Sequence, residues 1–216
     1  MRPKTITVTV LAALTILIAL TSIKIITTAR NEYLLAEEFF EKNEIPKAVN
    51  HYERAVQWFL PFSKTPNQAA EKLWEIAQNQ QIQNQNAEAL KTCRILRGAF
   101  YSVRSFYTPG EKWIHLCNDK IAHIMAMNFF KSREKQEITL AEKKSQYLLL
   151  LEAERPPFLF ASLMTEIGFL GWVFSAILFI FKALTPEGHF KKRLAILFVS
   201  TFLLFYCLWI WGMFNT

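Results

Sequence analysis

Glycine is scarce in this chain, and with it the loops that many enzymes need. There are 6 Gly in 216 residues, and none sits in a phosphate-cradling Gly-rich pattern. HExxH, GxSxG and Cys-x-x-Cys are missing as well. These absences leave no recognisable catalytic set, and the chain is read as neither an enzyme nor a cofactor binder. Cysteine is limited to Cys93, Cys117 and Cys207. One bond, Cys93 to Cys117, is possible in an oxidising compartment; the alternative is two buried thiols, which pack well between helices. Residues 28–155 contain no alternating strand pattern and no Asn-x-Ser/Thr acceptor, and the missing acceptor points mildly to a bacterial source.

Charge is missing from particular places. Residues 194–216 carry none, residues 5–26 carry only Lys24, and residues 158–181 carry only Glu166. A bilayer core of about 30 Å needs about 20 apolar residues at 1.5 Å each. All three runs are long enough, and a buried helix of a water-soluble protein is rarely apolar on every face for so long. The first run exceeds the 7–15 residues typical of a signal-peptide core and is read as an uncleaved anchor. The expected organisation is an all-α membrane protein with three transmembrane helices. Residues 1–27 form the N-terminal anchor, 28–155 an extramembrane helical domain, and 156–216 a C-terminal hairpin with spans 158–181 and 194–214.

The net charge of +7 belongs mostly to the membrane parts. Residues 28–155 hold 18 Lys+Arg against 16 Asp+Glu, too even a balance for a phosphate-binding stripe, so nucleic acid is not expected as a partner. The loop from Lys182 to Arg193 has four basic residues and one acid, and the tail after it has neither. Short basic loops stay in the cytoplasm. That puts residues 182–193 inside, with the C-terminus, residues 28–155 and the end of the first span outside. Arg2 and Lys4 agree, because they keep the N-terminus inside. Trp209, Trp211 and Phe214 fall at the outer interface, where aromatic rings prefer to lie. In a bacterium the location would be the inner membrane, with residues 28–155 in the periplasm.

Within residues 28–155 the helical period is interrupted at Pro46, Pro61, Pro66, the Asn/Gln run 78–86, Pro109-Gly110 and Pro156-Pro157. Helices are predicted over 30–43, 46–60, 67–80, 86–101, 111–131 and 134–154. The first continues from the anchor, since neither Gly nor Pro occurs between residues 4 and 45. A sharp bend is expected at 155–158, because proline has no amide donor and restricts the residue before it.

Residues 32–61 place Ala36, Phe39, Asn43, Ala48, Tyr52, Ala55 and Pro61 at the small, aromatic and turn positions of a helix hairpin. This pattern resembles the tetratricopeptide repeat. Forty-one residues on, Ala77, Asn84 and Ala89 match Ala36, Asn43 and Ala48, while Cys93 and Leu96 replace Tyr52 and Ala55. The family period is about 34 residues, and the linker from Pro61 to Pro66 holds the excess. The resemblance covers about 75 residues. It implies a scaffold whose groove binds peptides or partner proteins, with no catalytic role, and Ala36, Ala48, Tyr52 and Ala55 as packing positions.

Three constellations remain. His115, Asp119 and His123 share one helical stripe at spacing four and are zinc-type ligands, though a fourth ligand is missing; the alternative is a solvated face with weak His–Asp pairs. Arg97, Phe100, Tyr101, Arg104, Phe106 and Tyr107 combine the residue types enriched at interaction hot spots, or else pack where two helices meet. Glu166, an acid inside an apolar run, is costly unless paired or hydrated. Beside it Gly168, Gly171 and Ser175 allow close helix approach. Together these features suggest a membrane-anchored scaffold or accessory subunit whose partners are the lipid bilayer and other membrane or periplasmic proteins. The rival is a subunit of an ion- or proton-coupled transport complex that titrates Glu166.

Overall fold

The computed structural model describes residues 3–105, 107–131, 138–153, 159–184 and 191–215, with side chains from residue 12 onward. The described residues are all-α. The helices are α1 (Pro3–Glu41), α2 (Ile45–Gln57), α3 (Thr65–Ile82), α4 (Asn86–Ser102), α5 (Glu111–Lys131), α6 (Leu140–Glu152), α7 (Leu159–Leu178) and α8 (Lys192–Asn215), with a π-helical turn, Phe179–Ala183, extending α7. Three of them, in α1, α7 and α8, are long and apolar enough to cross a membrane. The chain divides into two compact units, α1–α6 and α7–α8, with Ser105 and Tyr107 grouping with the second.

In the first unit α1 runs unbroken from the apolar stretch into the domain, as its lack of internal Gly and Pro predicts. It ends in a left-handed turn at Asn43, φ 58°. The Asn43 amide donates to the Phe40 carbonyl and the Glu44 amide to the Phe39 carbonyl. This double closure satisfies carbonyls that the end of a helix would otherwise leave unpaired. The same turn recurs 41 residues later. Asn84 has φ 60°, its amide donates to Gln81, and the Gln85 amide donates to Gln80. In each case the next helix starts two residues after the Asn. Short asparagine tolerates the left-handed region better than most residues.

Pro46 and Pro66 occupy first turns, where the missing N–H costs nothing. Helix α6 begins at Leu140 behind a complete capping box: Thr139 Oγ1 accepts from the Glu142 amide, and the Thr139 amide donates to Glu142 Oε2 at 2.9 Å. Its predicted start at 134 was thus too early: Ile138 and Thr139 are not helical, and residues 134–137 lie outside the described residues. Helix α2 stops at Gln57, three residues short of its predicted end. Helix α3 instead runs through the first part of the Asn/Gln run to Ile82. The bend expected at 155–158 lies outside the described residues.

The core of the first unit has alanines where helices approach and large side chains between them. Ala36, Ala48, Tyr52, Ala55, Ala69, Ala70, Leu73, Ala77, Leu96 and Phe100 are fully buried. Phe39 is half-buried and stacks on His51, ring centroids 5.2 Å apart. Polar links tie α1 to α2 and α3. Glu37 Oε1 accepts from the Tyr52 hydroxyl at 2.6 Å and lies 3.9 Å from Lys72. His51 Nδ1 is 2.7 Å from Glu32 Oε2.

In the second unit α7 and α8 pair. Buried Ala161, Gly168 and Ser175 recur every seven residues along α7 and hold it against α8. A Cβ on Gly168 would lie 2.5 Å from the Trp209 backbone nitrogen, and one on Gly212 only 2.8 Å from the Thr165 nitrogen, so the two backbones touch. Gly171 packs on the Phe205 ring. Trp172 sits among Phe169, Phe202, Tyr206 and Trp209, with centroids 5.6–6.3 Å apart.

Candidate functional site

A concavity of the first unit opens between the ends of the two hairpins. It has a volume of about 460 Å³ and is lined by residues of α2, α4 and both left-handed turns. Its floor is apolar, with Phe40, Ile45, Val49, Ile76 and Ile95. Its rim is amide-rich, with Asn43, Asn50, Asn79, Gln80, Gln83 and Gln85, and two opposite charges, Glu88 and Lys91, lie along α4. Gln80 is held in place because its Oε1 accepts from Thr92 Oγ1 at 2.8 Å.

The chemistry of this lining is specific. A side-chain amide carries both a donor and an acceptor, the same complement as a peptide unit. An extended chain laid in the groove would present both every residue, while the apolar floor takes its side chains. The volume falls in the range of small-ligand clefts and suits a few residues of peptide. The signal in the sequence was the Asn/Gln run: eight of the nine residues 78–86 are amides. Read as an interruption between helices 67–80 and 86–101, it supplies the end of α3, through Ile82, and much of the rim.

The Arg/aromatic segment divides. Phe100 is fully buried, and Gly110, at φ 69°, lies against its ring so closely that a Cβ there would collide with it. It therefore packs the core and is not part of an interaction surface. Tyr101 is half-buried and carries two cations, with the Arg97 guanidinium 5.2 Å and the Arg104 guanidinium 5.3 Å from its ring centroid. Tyr107 is exposed, and Phe106 lies outside the described residues. No more than part of that segment is available to a partner.

The His/Asp stripe on α5 faces α6 and is used there. Lys144 Nζ is 2.6 Å from Asp119 Oδ1, and Glu152 Oε1 is 3.7 Å from His115 Nδ1. His123 makes no third member of a ligand set. Among the described residues no group of three His, Cys, Asp or Glu side chains is placed to hold a metal. Cys93 and Cys117 are free and buried side by side on α4 and α5. Their shared hydrogen bond, together with burial, pushes the Cys117 thiol up, and the same bond lowers that of Cys93; burial keeps both from being exposed nucleophiles.

On α7 the small-residue face is consumed within the chain: Gly168 and Gly171 meet α8 and do not offer an external seam. Glu166 points elsewhere. It is exposed and has no hydrogen-bond or ion-pair partner among the described residues. In the comparisons with known proteins, no family model, curated protein or solved structure matches the chain.

Proposed function

We propose that this chain is a membrane-anchored scaffold or accessory subunit that holds partner proteins through a tetratricopeptide-like helical domain and helps assemble a membrane complex. The amide-rimmed, apolar-floored groove is the observation that carries this reading, since its lining matches the needs of an extended peptide and of no small-molecule reaction. The repeated left-handed turns support it, because they place two equivalent hairpins side by side, as a repeat scaffold requires. The basic loop 182–193 supports an orientation with α2–α6 on the outer side of the membrane, which in a bacterial inner membrane is the periplasm.

The test is site-specific crosslinking in intact cells. Photoreactive residues at Asn50, Gln83 and Lys91 are expected to give the same discrete protein adduct, and one at Lys112, outside the groove, is expected to give none. Adducts independent of position, or none at all, would sink the reading. The orientation is checked separately: an impermeant thiol reagent should reach a cysteine at Lys64 from outside and miss one at Glu187.

One observation favours a second reading. Glu166 is an unpartnered acid on an apolar helix, and such a group inside a bilayer needs a partner or water. In a proton-coupled assembly Glu166→Gln would abolish activity while leaving groove crosslinks intact. In a scaffold it would leave both unchanged.

A further inference from the structure

The connection between α2 and α3 plays no part in the groove, yet it is the most aromatic loop of the first unit. It reads Trp58-Phe59-Leu60-Pro61-Phe62-Ser63-Lys64. Trp58 is 38% exposed and Phe62 is fully exposed at 104%, the highest value of any large apolar side chain described. Phe62 also holds φ 71°, a backbone region that bulky residues rarely adopt. Nothing among the described residues covers this ring.

Its position along α1 supplies the reason. Helix α2 runs back antiparallel to α1: Lys47 Nζ sits 5.2 Å from the Phe39 ring, and the Tyr52 and Tyr33 rings are 5.7 Å apart. Continued at 1.5 Å per residue, this register brings the end of α2 level with the residues just past Ile26, where the apolar stretch of α1 ends. The cleft beside the loop confirms the level, since Ile26 and Arg30 of α1 line it together with Ser63, Lys64 and Thr65. The opposite turns, at Asn43 and Asn84, are polar. The aromatic loop therefore lies at the one height on α1 where aromatic rings are most at home, the boundary of a bilayer.

We propose that the α2–α3 loop is an interfacial lipid anchor. Trp58 and Phe62 enter the headgroup and upper acyl region of the bilayer that α1 crosses, while Arg30 and Lys64 meet lipid phosphates from above. Exposed cations beside rings that enter lipid are the pattern expected for an anionic leaflet. The anchor would give the domain a second point of attachment beside α1 and so fix its height and rotation on the membrane. This inference rests on the reading that α1 spans the bilayer.

The experiment uses the full chain with Cys207→Ser, in vesicles of phosphatidylethanolamine and phosphatidylglycerol. A bimane probe is attached at Phe62→Cys, at Ile23→Cys inside the span, or at Lys42→Cys in the distal turn. Nitroxide lipids labelled near the headgroup or deep in the acyl chain serve as quenchers. The probe at 62 is expected to lose emission mainly to the shallow quencher, the probe at 23 mainly to the deep one, and the probe at 42 to neither. If 23 is quenched and 62 is not, the loop stays in water and the anchor is wrong while the span stands. If neither is quenched, both fail. Should Phe62→Cys disturb the fold, seen as loss of Cys93 and Cys117 protection, Trp58→Cys takes its place with the same expected outcome.

Discussion

Two helix pairs in this chain meet closely, and they do so by different means. In α1–α2 the contact residues are alanines, Ala36, Ala48 and Ala55, with Tyr52 filling the gap and its hydroxyl bonded to Glu37. In α7–α8 they are glycines, Gly168 and Gly212, each set against the opposite backbone, and the remaining space is filled by rings around Trp172. The contrast follows from the solvent each pair is suited to. In water, burial of apolar surface holds helices together at about 25 cal/mol per Å², so an alanine's spacing suffices and polar links can be added at the margins. A pair long and apolar enough to lie in lipid gains nothing from leaving one apolar medium for another. It must rely on backbone approach and dispersion, which only glycine permits at these distances.

The largest effect should come from breaking the glycine contact. Gly168→Leu places several atoms where the Trp209 backbone already lies within 2.5 Å of a Cβ, and backbone cannot swing aside as a side chain would. The cost is expected to reach the top of the roughly 1–3 kcal/mol range for overpacking or to pass it. The measurement is thermal unfolding in detergent followed by tryptophan emission, with Trp172 at the centre of the affected cluster. An unchanged midpoint would mean that α7 and α8 are held by something other than this crossing.

Ala48→Leu is the matching change in the first unit. Ala48 is fully buried between helices, and the larger side chain should destabilise the unit by about 1–3 kcal/mol. The readout is the rate at which the buried thiols of Cys93 and Cys117 become available to alkylation under reducing conditions. That rate reports opening of this unit and not of the hairpin α7–α8. If Gly168→Leu accelerated this alkylation as strongly as Ala48→Leu does, the two pairs would not be energetically separate, and the contrast drawn between them would fail.

What could be read in advance was whatever local sequence decides. The continuity of α1 follows from the absence of Gly and Pro, and the equivalence of Asn43 and Asn84 shows in their spacing, because one residue type serves one backbone need. The start of α6 was legible too, in the capping box Thr139-x-x-Glu142, which the predicted start at 134 passed over. Burial that depends on a distant chain segment was not legible. Phe100 belongs to an aromatic, basic stretch that looks like a surface until Gly110 is seen lying on its ring. The amides of 78–86 look like punctuation between helices because α2, which faces them across the groove, is remote in sequence. The His/Asp stripe looked like a ligand set because its true partners, Lys144 and Glu152, come from another helix.

The polar links of α1–α2 provide the last and smallest test, which the glycine-closed pair should not share. Burial, followed by the hydrogen bond to Glu37, pushes the Tyr33 hydroxyl up to about 12 from an ordinary value near 10. Tyr52, bonded to the same carboxylate, is raised as well, with burial again the larger cause. Between pH 10 and 12 the unfolded chain has already released the Tyr33 proton while the folded chain still holds it. The unfolded state then binds fewer protons, so stability falls as pH rises. The contribution is intact below pH 10 and is lost progressively toward pH 12. Thiol protection in the first unit is therefore expected to weaken over that window, and to weaken less in Tyr33→Phe, which has no proton to lose. Other tyrosines and lysines titrate in the same range, so the informative quantity is the difference between the two proteins at each pH. Equal slopes would show that the Tyr33 hydroxyl, which bonds Glu37 within α1, adds nothing to the stability of this unit over that window.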